Sequence, residues 1–315
     1  MRMPVSVAKT VNEGVGILCK NTAGGRVRFK TNSKAIAIKV VTDTYCTMSH
    51  MALTGSNGFD LYEKCGEKYF HKGTFVPPYK FTDTDRDNGY ESIICFADKK
   101  DRDITINFPL YNNVRKLYIG LEKDAEVGVA DSYRHTKPIV FYGSSITQGG
   151  CASRPGNAYT NIISRKYDVD IVNLGFSGSG KGERAIAEYI AGLDMGVFVY
   201  DYDHNAPSAE YLKKTHQPMF NIIREKHPDL PIILMTMPAT PLTWGDQAER
   251  KQVVRETFEA AKNSGDQNVY FVSGDEIFKM FGEDDCTVDS VHPNDMGFMC
   301  MAKALEPILN SIFIA

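Results

Sequence analysis

A hydroxyl, an imidazole and a carboxylate are the parts of an acyl-transfer centre. This sequence carries them in two short stretches, "GSSIT" at residues 143–147 and "DSVHPN" at 289–294. Ser145 follows the apolar run "PIVFYG" in a turn of small residues at the mouth of a predicted helix, where N–H groups can face developing negative charge. Serine alone is a weak nucleophile; it needs a base, and the base needs an orienting partner. His292, with Asp289 three residues before it, supplies both. One tight turn can bring that carboxylate to the imidazole, fixing its tautomer and stabilising the imidazolium formed during attack. Taken singly, Ser145 reads better as a helix N-cap and His292 as an ordinary surface or core histidine. The set, in order and on strand-end loops, points to a site.

A competing chemistry is written in "NLGFSGSGKGER", residues 173–184, where Gly175, Gly180 and Lys181 match the phosphate-cradling pattern G-x-x-x-x-G-K. The pattern fails at Gly182, where a nucleotide site needs Ser or Thr to hold magnesium, and it leaves Ser145 and His292 without a role. The glycines fit better as a turn offering a backbone N–H to an oxyanion, with Lys181 a solvated charge. Asp201, Asp203 and His204 have the ligand types of a metal cluster. Neighbours on an extended chain point to opposite faces, however, so a structural or substrate-contact role is expected and no metal is assigned.

Two kinds of chain must position these residues. From about residue 5 to 130 the pattern is short and strand-like, with "VRFKTN", "AIAIKVVT", "ESIICFA", "ITINFPL" and "KLYIGLE" separated by turn-rich pieces. This predicts a β-sandwich or jelly-roll domain over 1–134. Beyond it, the apolar runs "PIVFYG", "VDIVNLG", "GVFVYDYD", "PIILMTMP" and "NVYFVSG" alternate with helix-period segments such as "ERAIAEYIAGL" and "AERKQVVRETFEAAKNS". Strands buried on both faces and joined by helical crossovers make a doubly wound, flavodoxin-like parallel sheet of five strands, expected over 135–315. Ligands of such sheets sit beyond the carboxyl ends of the strands, and every candidate above lies in a loop at that edge. Trp244, the single tryptophan, falls in the loop after the fourth run, where it either stacks on a sugar ring or covers the domain edge.

Composition narrows the partners. A formal net charge of -3, with no stripe dense in Lys and Arg, argues against nucleic acid and anionic membrane surfaces. Seven scattered cysteines without a C-x-x-C pair suggest neither a disulfide framework nor a zinc site, and fit a reducing compartment. The opening "MRMPVSVAKTVNEG" has no apolar signal-peptide core, so the sequence as it stands reads as cytoplasmic; a removed signal would make it periplasmic or secreted.

At this point the sequence resembles the SGNH, or GDSL-like, hydrolases. "GSSIT" after the first strand, Gly178 in "NLGFSGSG" after the second, Asn205 in "DYDHN" after the third and the D-x-x-H of "DSVHP" are similar to the four blocks of that family, in order. "GFDLY" (58–62) and "FPLYNNVRKLYIGLE" resemble the N-terminal β-domain of a bacterial subgroup of these esterases. The resemblance implies Ser145 as nucleophile, His292 as general base and acid, and Asp289 as orienter. It implies an oxyanion hole made by the N–H groups of Ser145 and Gly178 and the side-chain amide of Asn205. Two departures stand out: Ser144 replaces the commoner Asp, and "DYDHN" replaces G-x-N-D.

The expected activity is a cofactor-free serine esterase that removes short acyl groups, acetyl above all, from a carbohydrate or related hydroxylated substrate, a small molecule or an oligosaccharide, with His204 and Trp244 as candidate substrate contacts. The alternatives are a thioesterase or lysophospholipase with the same triad, and a carbohydrate-binding protein with an inactive hydrolase domain.

Overall fold

The computed structural model describes residues 1–240, 245–282 and 284–314. Eight strands precede the catalytic-type half: β1 (Arg26–Thr31), β2 (Ala35–Val41), β3 (Phe59–Cys65), β4 (Lys68–Phe75), β5 (Tyr90–Cys95), β6 (Arg102–Asn107), β7 (Lys116–Leu121) and β8 (Val127–Val129). They form two antiparallel sheets, β4-β3-β6-β1-β8 and β5-β2-β7. Phe29, Phe59, Leu61 and Ile106 of the larger sheet meet Ile36, Ile38 and Ile94 of the smaller one in a shared core, which makes the pair a β-sandwich.

Five parallel strands follow: β9 (His135–Gly143), β10 (Val169–Gly175), β11 (Val197–Asp201), β12 (Ile232–Met235) and β13 (Val269–Val272), in the order β10-β9-β11-β12-β13. This is the flavodoxin-like order, with the chain reversing direction across β9. The central strand shows why its sequence reads as one apolar run. Ile139 and Phe141 enter the core on one face, Val140 and Tyr142 the core on the other, and all four are inaccessible to solvent. Among the described residues no helix is long and apolar enough to cross a membrane.

The start of the chain departs from the strand-like reading. Residues Val5–Val11 and Glu13–Leu18 are helices, the second capped by Asn12, whose side chain accepts from the Val15 N–H at 2.8 Å. Ala8 and Val15 are fully buried together with Ile186 and Ile190, so this segment covers a face of the parallel sheet and takes no part in the sandwich. Residues three apart within each helix, Val5, Ala8 and Val11 and then Val15 and Leu18, are what pack here, and not alternating ones.

The two halves are joined at the "GFDLY" stretch. Asp60, fully buried, accepts from Asn107 Nδ2 at 2.9 Å, from the Gly156 N–H at 2.7 Å and from Arg154 at 3.0 Å; Arg154 also donates to the Tyr62 hydroxyl. The gripped segment continues into the second half through Ser153 and Asn157, both hydrogen-bonded to Asp295. Asp60→Ala should therefore lower stability by about 3–5 kcal/mol, because it leaves a partly buried guanidinium and an amide unpaired. An unchanged urea midpoint would show that the junction tolerates the loss.

Candidate active site

Ser145 opens the short helix Ser145–Gln148 immediately after β9, at the carboxyl edge where the strand order reverses. Ser144 caps that helix, its hydroxyl accepting from the Ile146 N–H at 3.1 Å. The sandwich braces the same turn: the Tyr111 hydroxyl donates to the Ser145 carbonyl at 3.0 Å, and Gln148 Nε2 donates to the Leu110 carbonyl at 3.1 Å.

The structure brings Ser145, His292 and Asp289 together. Ser145 Oγ lies 2.9 Å from His292 Nε2, and His292 Nδ1 lies 2.8 Å from Asp289 Oδ2. Asp289 Oδ1 accepts from the backbone N–H groups of His292 and Val291 at 2.7 and 3.2 Å. Burial alone would raise the Asp289 pKa, but these N–H bonds and the facing imidazole outweigh it and hold the carboxyl below its usual value. An ionised carboxylate fixes the proton on Nδ1 and leaves the Nε2 lone pair toward the serine. The turn achieves this at some backbone cost, since Ser290 between the two residues adopts φ 66, a left-handed conformation unusual for a residue with a Cβ. A hydroxyl, imidazole and carboxylate in this sequence can pass the hydroxyl proton to the ring while the oxygen attacks a carbonyl.

A second serine, imidazole and carboxylate chain lies behind the first and escaped the sequence reading. His204 Nε2 is 2.6 Å from Ser144 Oγ, and His204 Nδ1 is 3.0 Å from Asp203 Oδ1. Burial disfavours charge on His204, yet the hydrogen bond and charge of Asp203 outweigh it and raise the pKa; the same contact lowers that of Asp203 against burial. Asp201, beside them, is pushed up to about 7 by burial, with Asp203 adding to the shift and His204 opposing it. Exposure separates the two chains: Ser144 is fully buried, whereas Ser145 is 8% exposed and meets solvent. Both His204 ring nitrogens are engaged inside the protein. The two departures from the family pattern, Ser144 and the "DYDHN" block that holds His204, are thus in contact with each other.

Four N–H groups of the glycine turn after β10 are spent on the protein itself. The N–H groups of Ser179 and Gly180 both bond the Phe176 carbonyl, at 2.9 and 3.0 Å, that of Ser177 bonds Gln148 Oε1 at 3.1 Å, and that of Gly182 bonds the Tyr142 hydroxyl at 2.8 Å. Gly182, the position that broke the nucleotide pattern, has φ 74 and an ideal Cβ only 2.3 Å from the Tyr202 hydroxyl, so no Ser or Thr fits there. Gly178 differs: it is exposed, has φ 63, and among the described residues its N–H is left without a hydrogen bond. Asn205 stands next to this turn, donating one Nδ2 hydrogen to the Phe176 carbonyl at 3.0 Å and keeping a second for another acceptor. Trp244 lies outside the described residues.

The sequence pattern of the GDSL-like lipase/acylhydrolase family matches residues 136–310, and that of the N-terminus of SGNH-hydrolase-type esterases, named GxDLY, matches 1–127. No curated protein sequence matches the chain. Among solved structures, a protein of Bacteroides ovatus described as a GDSL-like lipase is 30% identical, with a TM-score of 0.87 over 98% of this chain and 90% of that one. The salicylyl-acyltransferase SsfX3 of a tetracycline biosynthetic pathway is 19% identical, with a TM-score of 0.78 over 98% and 89%. A family two carbohydrate esterase of Clostridium thermocellum, solved with cellohexaose, is 15% identical, with a TM-score of 0.61 over 92% and 93%. With one family pattern spanning more than half of the residues and a relative similar over nearly the whole length, the chain belongs to the GDSL-like lipase/acylhydrolase family and is a hydrolase of carboxylic esters.

Proposed function

We propose that the protein is a serine esterase that removes short acyl groups, acetyl first among them, from hydroxyls of a carbohydrate or similar polyol. The observation that carries this reading is the Ser145–His292–Asp289 chain of contacts at 2.9 and 2.8 Å, opening on solvent at the carboxyl edge of the parallel sheet. Ser145 Oγ attacks the ester carbonyl as His292 Nε2 takes its proton. The tetrahedral oxyanion is met by the Gly178 N–H, the Ser145 N–H and the free Asn205 amide hydrogen. His292 then returns the proton to the leaving alkoxide, the sugar hydroxyl departs, and a water activated by the same ring releases the acid and restores Ser145. The carbohydrate substrate is supported by the likeness in fold to the esterase solved with cellohexaose.

Turnover of p-nitrophenyl esters of increasing chain length, with release of acetate from acetylated oligosaccharides, tests the reading. Activity that falls steeply beyond about four carbons, with acetate released from the glycans, supports it; a preference for long acyl chains favours a lysophospholipase, and glycan binding without turnover an inactive binding protein. The oxyanion roles carry their own expectation. Asn205→Ala should cost roughly 10²–10³ in kcat, the loss that follows removal of one preorganised donor. Lys181→Ala should cost almost nothing, since four N–H groups of its loop are already spent on the protein itself. Equal losses from the two changes would remove Asn205 from the oxyanion hole.

A further inference from the structure

His292 has two neighbours that the esterase reading leaves idle. His50, in the loop that follows β2, sits with its ring centroid 5.4 Å from that of His292, tilted by 36°. Cys151 follows the Ser145–Gln148 helix in a turn where it holds φ 73, and its thiol is free and buried. One ligand atom from each of His50, Cys151 and His292 falls within 4.8 Å of the other two. No hydrogen bond holds the His50 ring or the Cys151 thiol elsewhere among the described residues.

We propose that His50, Cys151 and His292 form a zinc-binding site that reversibly shuts off the esterase by occupying the lone pair of its base; the inhibitory half of this proposal rests on the esterase reading, and the metal-binding half does not. Two imidazole nitrogens and a thiolate are donors that zinc takes in four-coordinate sites, with the fourth position left to water or to the Ser145 hydroxyl. The feature that makes His292 a base also makes it a ligand. Asp289 accepts from Nδ1 at 2.8 Å, which leaves the lone pair on Nε2, 2.9 Å from Ser145 Oγ, the carboxylate–histidine arrangement that orients metal-bound imidazoles. Hard cations such as magnesium and calcium gain nothing here, because the site offers no oxygen cage. Binding is balanced by one proton: Zn²⁺ displaces the thiol hydrogen of Cys151 to solvent, forms a zinc–sulfur bond, and takes Nε2 from its contact with Ser145. Burial, with some help from the charge of Asp289, pushes the Cys151 thiol up to about 12, so the unmetallated sulfur stays protonated and does not compete with Ser145 as a nucleophile.

The test uses the full chain freed of metal by a chelator. Cobalt(II), as a probe of the same ligands, is added while the near-ultraviolet sulfur-to-cobalt absorption is followed, and zinc chloride is titrated against p-nitrophenyl acetate hydrolysis. The expected result is a sulfur-to-cobalt band that is absent in Cys151→Ser, and zinc inhibition reversed by chelator. Half-inhibition should move up by roughly tenfold or more in both His50→Ala and Cys151→Ser, whose activity without zinc matches the parent; a metal ligand should matter at least as much as the outer partners whose loss costs that much. Absence of the cobalt band in the parent, or zinc inhibition unchanged in both variants, overturns the proposal. A cobalt band in a protein that hydrolyses no ester keeps the metal site and overturns the esterase reading instead. His50→Ala, at a half-buried loop position, serves where Cys151→Ser fails to fold.

Discussion

Ser145→Ala should lower kcat/KM for p-nitrophenyl acetate on the order of 10³-fold or more, the loss expected when the nucleophile of a cooperating triad is removed. Its hydroxyl contributes little to stability: it is partly solvent-facing and bonded only to His292, and the Ser145 carbonyl, not its side chain, carries the Tyr111 bond that braces the turn. Ser144→Ala is the informative companion. It removes a helix cap worth about 1 kcal/mol and leaves the raised-pKa imidazole of His204 facing a methyl group, so it should lower the unfolding midpoint while retaining measurable turnover. The two substitutions separate the two serine–imidazole–carboxylate chains by experiment. Were Ser144→Ala the inactive protein and Ser145→Ala the active one, catalysis would run through His204 and Asp203, and the exposed chain would be the bystander.

Why one of those chains was legible in the sequence and the other was not has a physical answer. Asp289 and His292 lie three residues apart, so local turn geometry alone can join them, and the only long-range requirement is that the loop return to the Ser145 edge. The parallel-sheet pattern already guarantees that return. The contact between Ser144 and His204 spans two loops after adjacent strands, β9 and β11, and depends on strand order and on how deep each loop descends, neither of which periodicity reports. A signal existed nonetheless. Ser144 stands where the family block has Asp, and "DYDHN" stands where it has G-x-N-D, and two departures in loops that share an edge are natural candidates for mutual compensation.

The same distinction runs through the fold. The parallel sheet was readable because its inner strands β9, β11 and β12 are buried on both faces, which leaves uninterrupted apolar runs, and the edge strands β10 and β13 keep enough of that pattern to be placed. The first twenty residues were not, because their short helices are held by the flank of the other domain's sheet. Nothing in "VSVAKTVNEGVGIL" says that its partners are Ile186 and Ile190, far along the chain. The role of "GFDLY" became intelligible only with the junction in view. Asp60 is an acid near the start of a buried strand, a costly choice for a sandwich that offers it only Asn107, and its other partners, Arg154 and the Gly156 N–H, come from the second half.

His292→Ala should be nearly as damaging as loss of the serine, since a hydroxyl without its base is no better a nucleophile than water and the triad acts as a unit. Asp289→Ala should leave more activity, by roughly tenfold or more relative to His292→Ala, because the ring survives and only the group that orients it and fixes its tautomer is lost. Lowering the pH reproduces the histidine loss in the parent, and the sign follows from which form works. The base acts through the Nε2 lone pair, protonation fills it, and kcat/KM must therefore fall on the acid side of the profile. Asp289 does not blur that limb, for its hydrogen bonds to the His292 ring and to two backbone N–H groups outweigh burial and keep it ionised below the usual carboxylate range. The limb thus reports the imidazole alone, and it should vanish with His292→Ala while the small residual activity turns nearly independent of pH. A profile for the parent without an acid limb would take His292 out of the proton-transfer role and leave its 2.9 Å approach to Ser145 without a catalytic meaning.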